Sequence, residues 1–158
     1  MKPSILDLQE DKRQTVENRF WSKVDKTNSC WLWKAAKYRN GYGRFGVTFG
    51  PYNSPILRAH RISFELSKGR IPEDKQPDHL CRNRACVNPS HIELVTQREN
   101  TLRGNGTGAQ NARKTHCKNG HLLTGDNLVT NRLKKGQRVC RICLNSWQRK
   151  SRLEQKSK

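Results

Sequence analysis

The chain has 158 residues, with 32 Lys and Arg against 13 Asp and Glu, a formal net charge of +19. Only 32% of it is hydrophobic, the mean hydropathy is −1.00 and the pI is near 10.3. Such a chain is too short for a multi-domain machine and too poor in apolar residues to be held by burial alone, so disulfide or metal staples are expected.

The longest mostly apolar runs, such as Ile92–Val95, cannot span a bilayer. The opening MKPSILDLQEDKRQ lacks the apolar stretch of a secretion signal. A soluble cytoplasmic protein is the expectation, with no membrane partner. Charge is uneven: residues 1–100 hold 18 basic and 11 acidic residues, and residues 101–158 hold 14 and 2. That excess points to a polyanionic partner, most simply nucleic acid. A merely solubilising charge is the plainer alternative. An anionic membrane fits less well, because no basic segment has a strong apolar face.

In chain order, Ser4 to about Phe20 reads as an amphipathic helix with Ile5, Leu8, Val16 and Phe20 inward. Cys30–Trp33 and the glycine-punctuated Gly41–Val47 read as strands. Pro51 to Pro55 mark a turn before a returning strand at Ile56–Leu57. Ala59–Lys68 reads as a helix with Ile62, Phe64 and Leu66 inward, closed by Gly69 and Pro72. From Pro77 a short strand, a Cys-bearing loop and a strand at Ile92–Val95 lead into a helix opened by a Thr96/Glu99 capping box. Gly104–Gly108 reads as a flexible linker. A Cys/His segment at 116–143 and a basic helical tail from Leu144 to Lys158 follow. The whole is α+β.

Six cysteines stand at 30, 81, 86, 117, 140 and 143. Without a secretion signal they are expected to be reduced. Cys117-x-x-x-His121 with Cys140-x-x-Cys143 has the spacing of a tetrahedral zinc site, in which the metal clips two turns together. His116 is a weaker substitute for His121. A redox role for the CxxC lacks its usual βαβ surroundings. Upstream, Cys81, Cys86 and His91 are one ligand short of a closed site. Cys30 is the cysteine left to complete it, the alternative being a buried thiol beside Trp31 and Trp33. Closed four-ligand shells make both zinc ions structural.

Asp78-His79 then remains at the end of a strand, with Asn100 early on the capped helix. A neutral imidazole facing a hard cation held by the Asn oxygen and the Asp carboxylate suits phosphodiester hydrolysis. His79 is the general base and a Mg²⁺-type ion stabilises the leaving oxygen. Two protein oxygens suffice for Mg²⁺, which keeps several waters.

The stretch PDHLCRNRACVNPSHIELVTQRENTLRG, Pro77 to Gly104, resembles the HNH (ββα-metal, His-Me finger) endonucleases, particularly the His-Cys box homing endonucleases and the phage HNH group. Their pattern H-x-C-x4-C-x4-H-x8-N falls without a gap on His79, Cys81, Cys86, His91 and Asn100. Upstream, CWLW, GYGRF and AHRISFEL are similar to the phage group, in which an early Cys completes the zinc site, as Cys30 would. The resemblance implies a small ββα-metal core with flanking antiparallel strands. It also implies cleavage of DNA to 3′-hydroxyl and 5′-phosphate ends with one catalytic divalent ion bound by Asp78 and Asn100, and an arginine on the scissile phosphate. Arg61, Arg58 and Arg44 are its candidates in that order. Asn88 is expected to fix the Cys-bearing loop, and His60 to be structural.

The expected organisation is an N-terminal helical extension (1–19), the nuclease domain with its Cys3His zinc (20–104), a linker (105–115), a second zinc module (116–143) and the basic tail (144–158). Double-stranded DNA would be gripped by Arg39, Arg44 and Arg58 on and beside the strands, Arg132, Lys134, Lys135 and Arg138 in the second module, and Arg149, Lys150 and Arg152 on the tail. Phosphate contacts of this kind position rather than specify. Two other readings stand beside a nuclease: a non-catalytic zinc-stapled DNA-binding protein, and an RNA-binding zinc protein, which lacks an evident aromatic platform. A homodimer would suit a cutter of palindromic sites. A prokaryotic host cell and a phage or mobile-element origin follow from the resemblance alone.

Overall fold

The computed structural model describes residues 3–156. Its architecture is α+β, and it divides into two compact units that part between Asn100 and Thr101. The first unit begins with a 3-10 turn at Ile5–Asp7, then α1 (Glu10–Trp21), β1 (Val24–Lys26), β2 (Trp31–Trp33), β3 (Arg44–Gly46), β4 (Ile56–Arg58) and α2 (Ala59–Lys68). It ends with β5 (Lys75–His79), β6 (Ile92–Thr96) and α3 (Gln97–Arg103), the last running across the boundary. The strands form three antiparallel ribbons, β1–β2, β3–β4 and β5–β6.

The N-terminal segment is two elements where one helix was expected. Ser4 and Asp7 close a reciprocal capping box around the 3-10 turn, and Leu8 is extended before α1 begins. Ser4 Oγ donates to Glu65 Oε2 (2.9 Å), which also accepts from the Ile5 N–H (3.3 Å), so the turn is tied to α2. Ile5, Leu8, Val16 and Phe20 are all buried, in one core with Trp33, Phe45, Val47, Ala59, Ile62 and Val87. The segment read as an extension is thus part of the domain's interior. Phe20, Trp33 and Phe45 form its centre, with ring centroids 5.1 to 5.7 Å apart, separations at which aromatic pairs attract beyond their burial.

Helix α2 matches its expected bounds but buries more than one stripe. Ile62 enters the main core, Phe64 packs with Ile71 and Ile92 in a second cluster, and His60, Ser63 and Glu65 are buried as well. The Ser63 hydroxyl donates to the Val87 carbonyl, fastening the Cys-bearing loop to this helix. The strand expected over Gly41–Val47 is reduced to β3, because Tyr38–Gly41 forms a turn closed by the Gly41 N–H on Tyr38 O (2.8 Å).

The second unit contains α4 (Thr107–Arg113), α5 (Thr130–Leu133) and α6 (Arg141–Lys156). Residues read as flexible linker therefore form a helix. Its Ala109 is buried, and the last α4 carbonyls are taken by an arginine. Arg138 donates to the carbonyls of Asn111 (3.1 Å), Ala112 (3.0 Å), Lys114 (2.8 Å) and Leu123 (3.0 Å). Arg113 does the same for Leu102 and Gly104 at the end of α3. The tail helix starts at Arg141, three residues before the expected Leu144. Among the described residues of this unit only Ala109, Leu123 and Cys140 are buried, far too little apolar burial to hold the fold unaided. No described helix is long and apolar enough to cross a membrane.

Candidate active site and metal centres

Two main-chain hydrogen bonds and one from a side chain bring Cys30 to the distant Cys81–His91 loop. The Trp33 N–H donates to Ala85 O (3.0 Å) and the Val87 N–H to Trp31 O (2.8 Å), so residues 85–87 lie along β2 as a short extra strand. The Asn88 amide donates to Ser29 O (2.8 Å) and its oxygen accepts from the Ser90 N–H (3.0 Å). Asn88 therefore locks the loop, as its place in the motif suggested. Cys30 Sγ and Cys86 Sγ then lie 3.6 and 3.7 Å from His91 Nδ1, and the four ligand atoms of Cys30, Cys81, Cys86 and His91 are all within 4.8 Å of one another.

Cys117, His121, Cys140 and Cys143 form the second such cluster. His121 Nδ1 is 3.5 Å from Cys117 Sγ, 3.2 Å from Cys143 Sγ and 3.7 Å from Cys140 Sγ. A tetrahedral zinc with bonds of about 2.3 Å to sulfur and about 2.0 Å to nitrogen places its ligand atoms roughly 3.5–3.8 Å apart. Four of the five distances fall in that range and His121 Nδ1 to Cys143 Sγ is shorter at 3.2 Å, and all six cysteines are free thiols. These sites can each hold a zinc ion through three sulfurs and one Nδ1. His116 stands outside, bonded to Thr115 Oγ1. In the first cluster burial pushes the Cys86 thiol up to about 12. A metal is the usual way for so buried a thiolate to exist.

His79 ends β5 and is only 4% exposed. Its Nε2 lies 2.9 Å from the Cys86 carbonyl. A carbonyl only accepts, so Nε2 carries the proton and Nδ1 keeps the lone pair. Burial lowers the His79 pKa from its usual value, opposed by the Cys86 bond and the Asp78 charge. The ring is thus a neutral imidazole of fixed tautomer at neutral pH. Because Cys86 is also a cluster ligand, one loop both completes the metal centre and orients this imidazole.

Behind His79, the ring of His60 lies 4.7 Å away. It is 2% exposed, and its Nδ1 has no hydrogen-bond partner. Burial first, then the nearby His79, Arg58 and Arg61, hold its pKa well below the ordinary value. Asp78 is buried and accepts from Arg82 Nη1 at 3.0 and 3.1 Å. Arg82 adopts φ 56°, the one described non-glycine residue with positive φ. Asn100 is half-buried in the first turn of α3. The capping box forms there: Glu99 N–H donates to Thr96 Oγ1 (3.2 Å) and Thr96 N–H to Glu99 Oε2 (2.7 Å).

Arg61 is half-buried on α2, its pKa lowered by burial against the pull of Glu65. Arg44 and Arg58 are exposed and face each other across the β3–β4 ribbon. Arg39, Arg132, Lys134, Lys135, Arg149, Lys150 and Arg152 are exposed too. Arg138 differs, its guanidinium being spent on four main-chain carbonyls. Sequence reasoning passed over Tyr42 and Arg84, which the structure brings beside His79; the paired glycines around Tyr42 were the available signal.

Together, a buried imidazole on the first strand of a β-hairpin, a helix after its second strand and a Cys3His cluster able to hold zinc are consistent with a small zinc-bearing HNH-type fold. The comparison with protein families agrees: residues 57–102 match the family described as HNH endonuclease. Phage proteins are among its relatives. The chain is 37% identical to the uncharacterized gene 5.3 protein of Enterobacteria phage T3 over 46 residues, 29% of this chain and 46% of that one. It is 26% identical to Protein 2.8 of Escherichia phage T7 over 87 residues, 54% of this chain and 57% of that one. Protein 7.7 of the same phage is 31% identical over 72 residues, 46% of this chain and 52% of that one. The chain thus spans about half the length of the curated relatives it matches. No solved structure matches it.

Proposed function

We propose that this protein is a metal-dependent endonuclease that cuts double-stranded DNA inside a prokaryotic host cell. The observation that carries the reading is the His79 Nε2 bond to Cys86 O at 2.9 Å, inside the segment that matches the HNH endonuclease family. It leaves Nδ1 free to take a proton from the water that attacks the phosphorus. The bond to the 3′ oxygen breaks, and the products are 3′-hydroxyl and 5′-phosphate ends.

Asp78 and Asn100 offer hard oxygen donors that fit a Mg²⁺-type ion. Such an ion, when bound, supplies positive charge at the leaving oxygen. Asp78 meanwhile accepts from Arg82, so a cation bound there shares or displaces that guanidinium. Arg61, half-buried on α2, is the proposed contact to the scissile phosphate. Arg39, Arg44 and Arg58 in the first unit, and Arg132, Lys134, Lys135, Arg149, Lys150 and Arg152 in the second, are the proposed phosphate grip. Arg138 is not among them, since its Nη1 and Nη2 already bond four main-chain carbonyls. Zinc in the two Cys/His clusters is structural in this reading.

The test is supercoiled plasmid incubated with and without Mg²⁺, using the wild type and His79→Ala. Nicked or linear product is expected only with Mg²⁺ and only from the wild type. His79→Ala is expected to keep two zinc ions and wild-type DNA affinity. Cleavage by His79→Ala would sink the assignment of the base. DNA binding with no cleavage by the wild type on any of several plasmids would favour a non-catalytic zinc-stapled DNA-binding protein.

A further inference from the structure

Tyr42 is held by the two glycines beside it. Gly41 has φ +89°, which side chains rarely adopt. A Cβ on Gly43 would lie 2.7 Å from Trp33 Cδ1 and 2.8 Å from Ala59 Cβ, inside packed core. Main-chain bonds secure the same residues: the Tyr38 N–H donates to Tyr42 O (2.7 Å) and the Ala59 N–H to Gly43 O (2.9 Å). So placed, the Tyr42 ring lies 5.1 Å from the His60 ring and 5.8 Å from the His79 ring.

Two guanidiniums lie over that ring, Arg58 at 4.9 Å and Arg84 at 5.5 Å. Arg84 is further fixed by a bond from Nη1 to Asn40 O (3.1 Å). Arg44, directly across the ribbon from Arg58, takes the neighbouring Tyr38 ring at 5.1 Å. Like charges opposite each other weaken a ribbon, so this concentration works against the fold. An anion between the arginines would remove the penalty. A guanidinium stacked on an aromatic face also keeps its in-plane N–H donors, the geometry that binds phosphate.

We propose that Tyr42 is a positioning residue that sets Arg58 and Arg84 as a two-guanidinium seat for one backbone phosphate of the DNA, beside His79. The identity of the ligand rests on the nuclease reading above. The seat adds Arg84 to the phosphate contacts and gives Arg58 a defined place among them.

The experiment measures affinity of the full-length, zinc-loaded protein for a short duplex over a range of KCl, without divalent ions so that nothing is cut. Each phosphate contact contributes about 0.9 to the slope of log K against log[salt]. Arg58→Gln and Arg84→Gln are each expected to lower the slope, and the double variant to lower it by about 0.9 in all, because the two share one phosphate. Tyr42→Phe, which keeps the ring, is expected to leave it unchanged. Tyr42→Leu is expected to lower it with both charges still present, which a change of net charge cannot explain. Zinc content and thermal midpoint are recorded for every variant. If Tyr42→Leu loses zinc, the exposed Arg84→Gln decides. A wild-type slope in Arg84→Gln, or in a folded Tyr42→Leu, overturns the proposal. A protein that shows these slopes but cuts nothing with Mg²⁺ keeps the seat and loses the nuclease reading. One that cuts yet shows no slope change loses only the seat.

Discussion

An imidazole buried at position 60 with an unbonded Nδ1 is costly unless it stays neutral. Burial and the nearby His79, Arg58 and Arg61 hold it so, with a folded pKa well below 6.5. The unfolded chain titrates near 6.5 and therefore takes up its proton first as pH falls. Stability contributed by neutral His60 is complete above about pH 6.5 and is lost on acidification below it. His60→Gln cannot titrate. The unfolding free energy of wild type minus variant is expected to fall below that pH by up to about 1.4 kcal/mol per pH unit. Denaturant unfolding of both proteins at a series of pH values checks this, and a constant difference would show that His60 is not held neutral. In the sequence this residue reads only as a histidine within AHRI. Its orphaned Nδ1 and its packing on His79 need Tyr42 and β5, brought from elsewhere in the chain.

Two helices end on arginines. Arg113 closes α3 and Arg138 closes α4, donating to carbonyls that a helix terminus leaves without partners. Arg138→Ala should destabilise α4 by about 1.5–3 kcal/mol, the range for hydrogen bonds to a charged group. The loss should appear as faster hydrogen exchange at the α4 amides. Arg138→Lys should rescue little, because an ammonium lacks the planar fork. The exposed Arg132→Ala should leave that exchange unchanged, and equal effects from both would refute the capping role. Element by element, α2 and the β5–β6–α3 run were legible because periodicity and a capping box are local signals. Helix α4 was not. Its glycine-rich start reads as linker, and the arginine that closes it lies more than twenty residues downstream.

Across the whole molecule, the two Cys/His clusters stand where apolar burial is thin. Two zinc ions per chain are expected by elemental analysis, falling to one in Cys117→Ala. A strong chelator should abolish the helical signal of the second unit, which buries only Ala109, Leu123 and Cys140. The first unit should lose thermal midpoint but keep part of its structure, because the core around Phe20, Trp33 and Phe45 remains. Since thiolates and neutral imidazoles are the ligands, zinc should be released as pH falls. Retention of the second unit's helical signal after complete metal removal would contradict the view that metal holds this unit together.

The sequence by itself determined the α+β class and seven of the eight metal-ligand candidates, because ligand spacing, strand alternation and capping are written within a few residues of each other; Cys30 was the cysteine left over, and long-range pairing brought it to the others. It also pointed to a polyanionic partner, since charge needs no fold to be counted. Only the tertiary structure decided which basic residues remain free to meet that partner. Arg138 looks in sequence like any cation of its segment, yet its Nη1 and Nη2 bond four main-chain carbonyls. Arg84 drew no notice, yet it lies over the Tyr42 ring beside His79. The use of a side chain's donors depends on which backbone groups and rings long-range packing places within about 3 Å or 6 Å of it, and no local pattern encodes that.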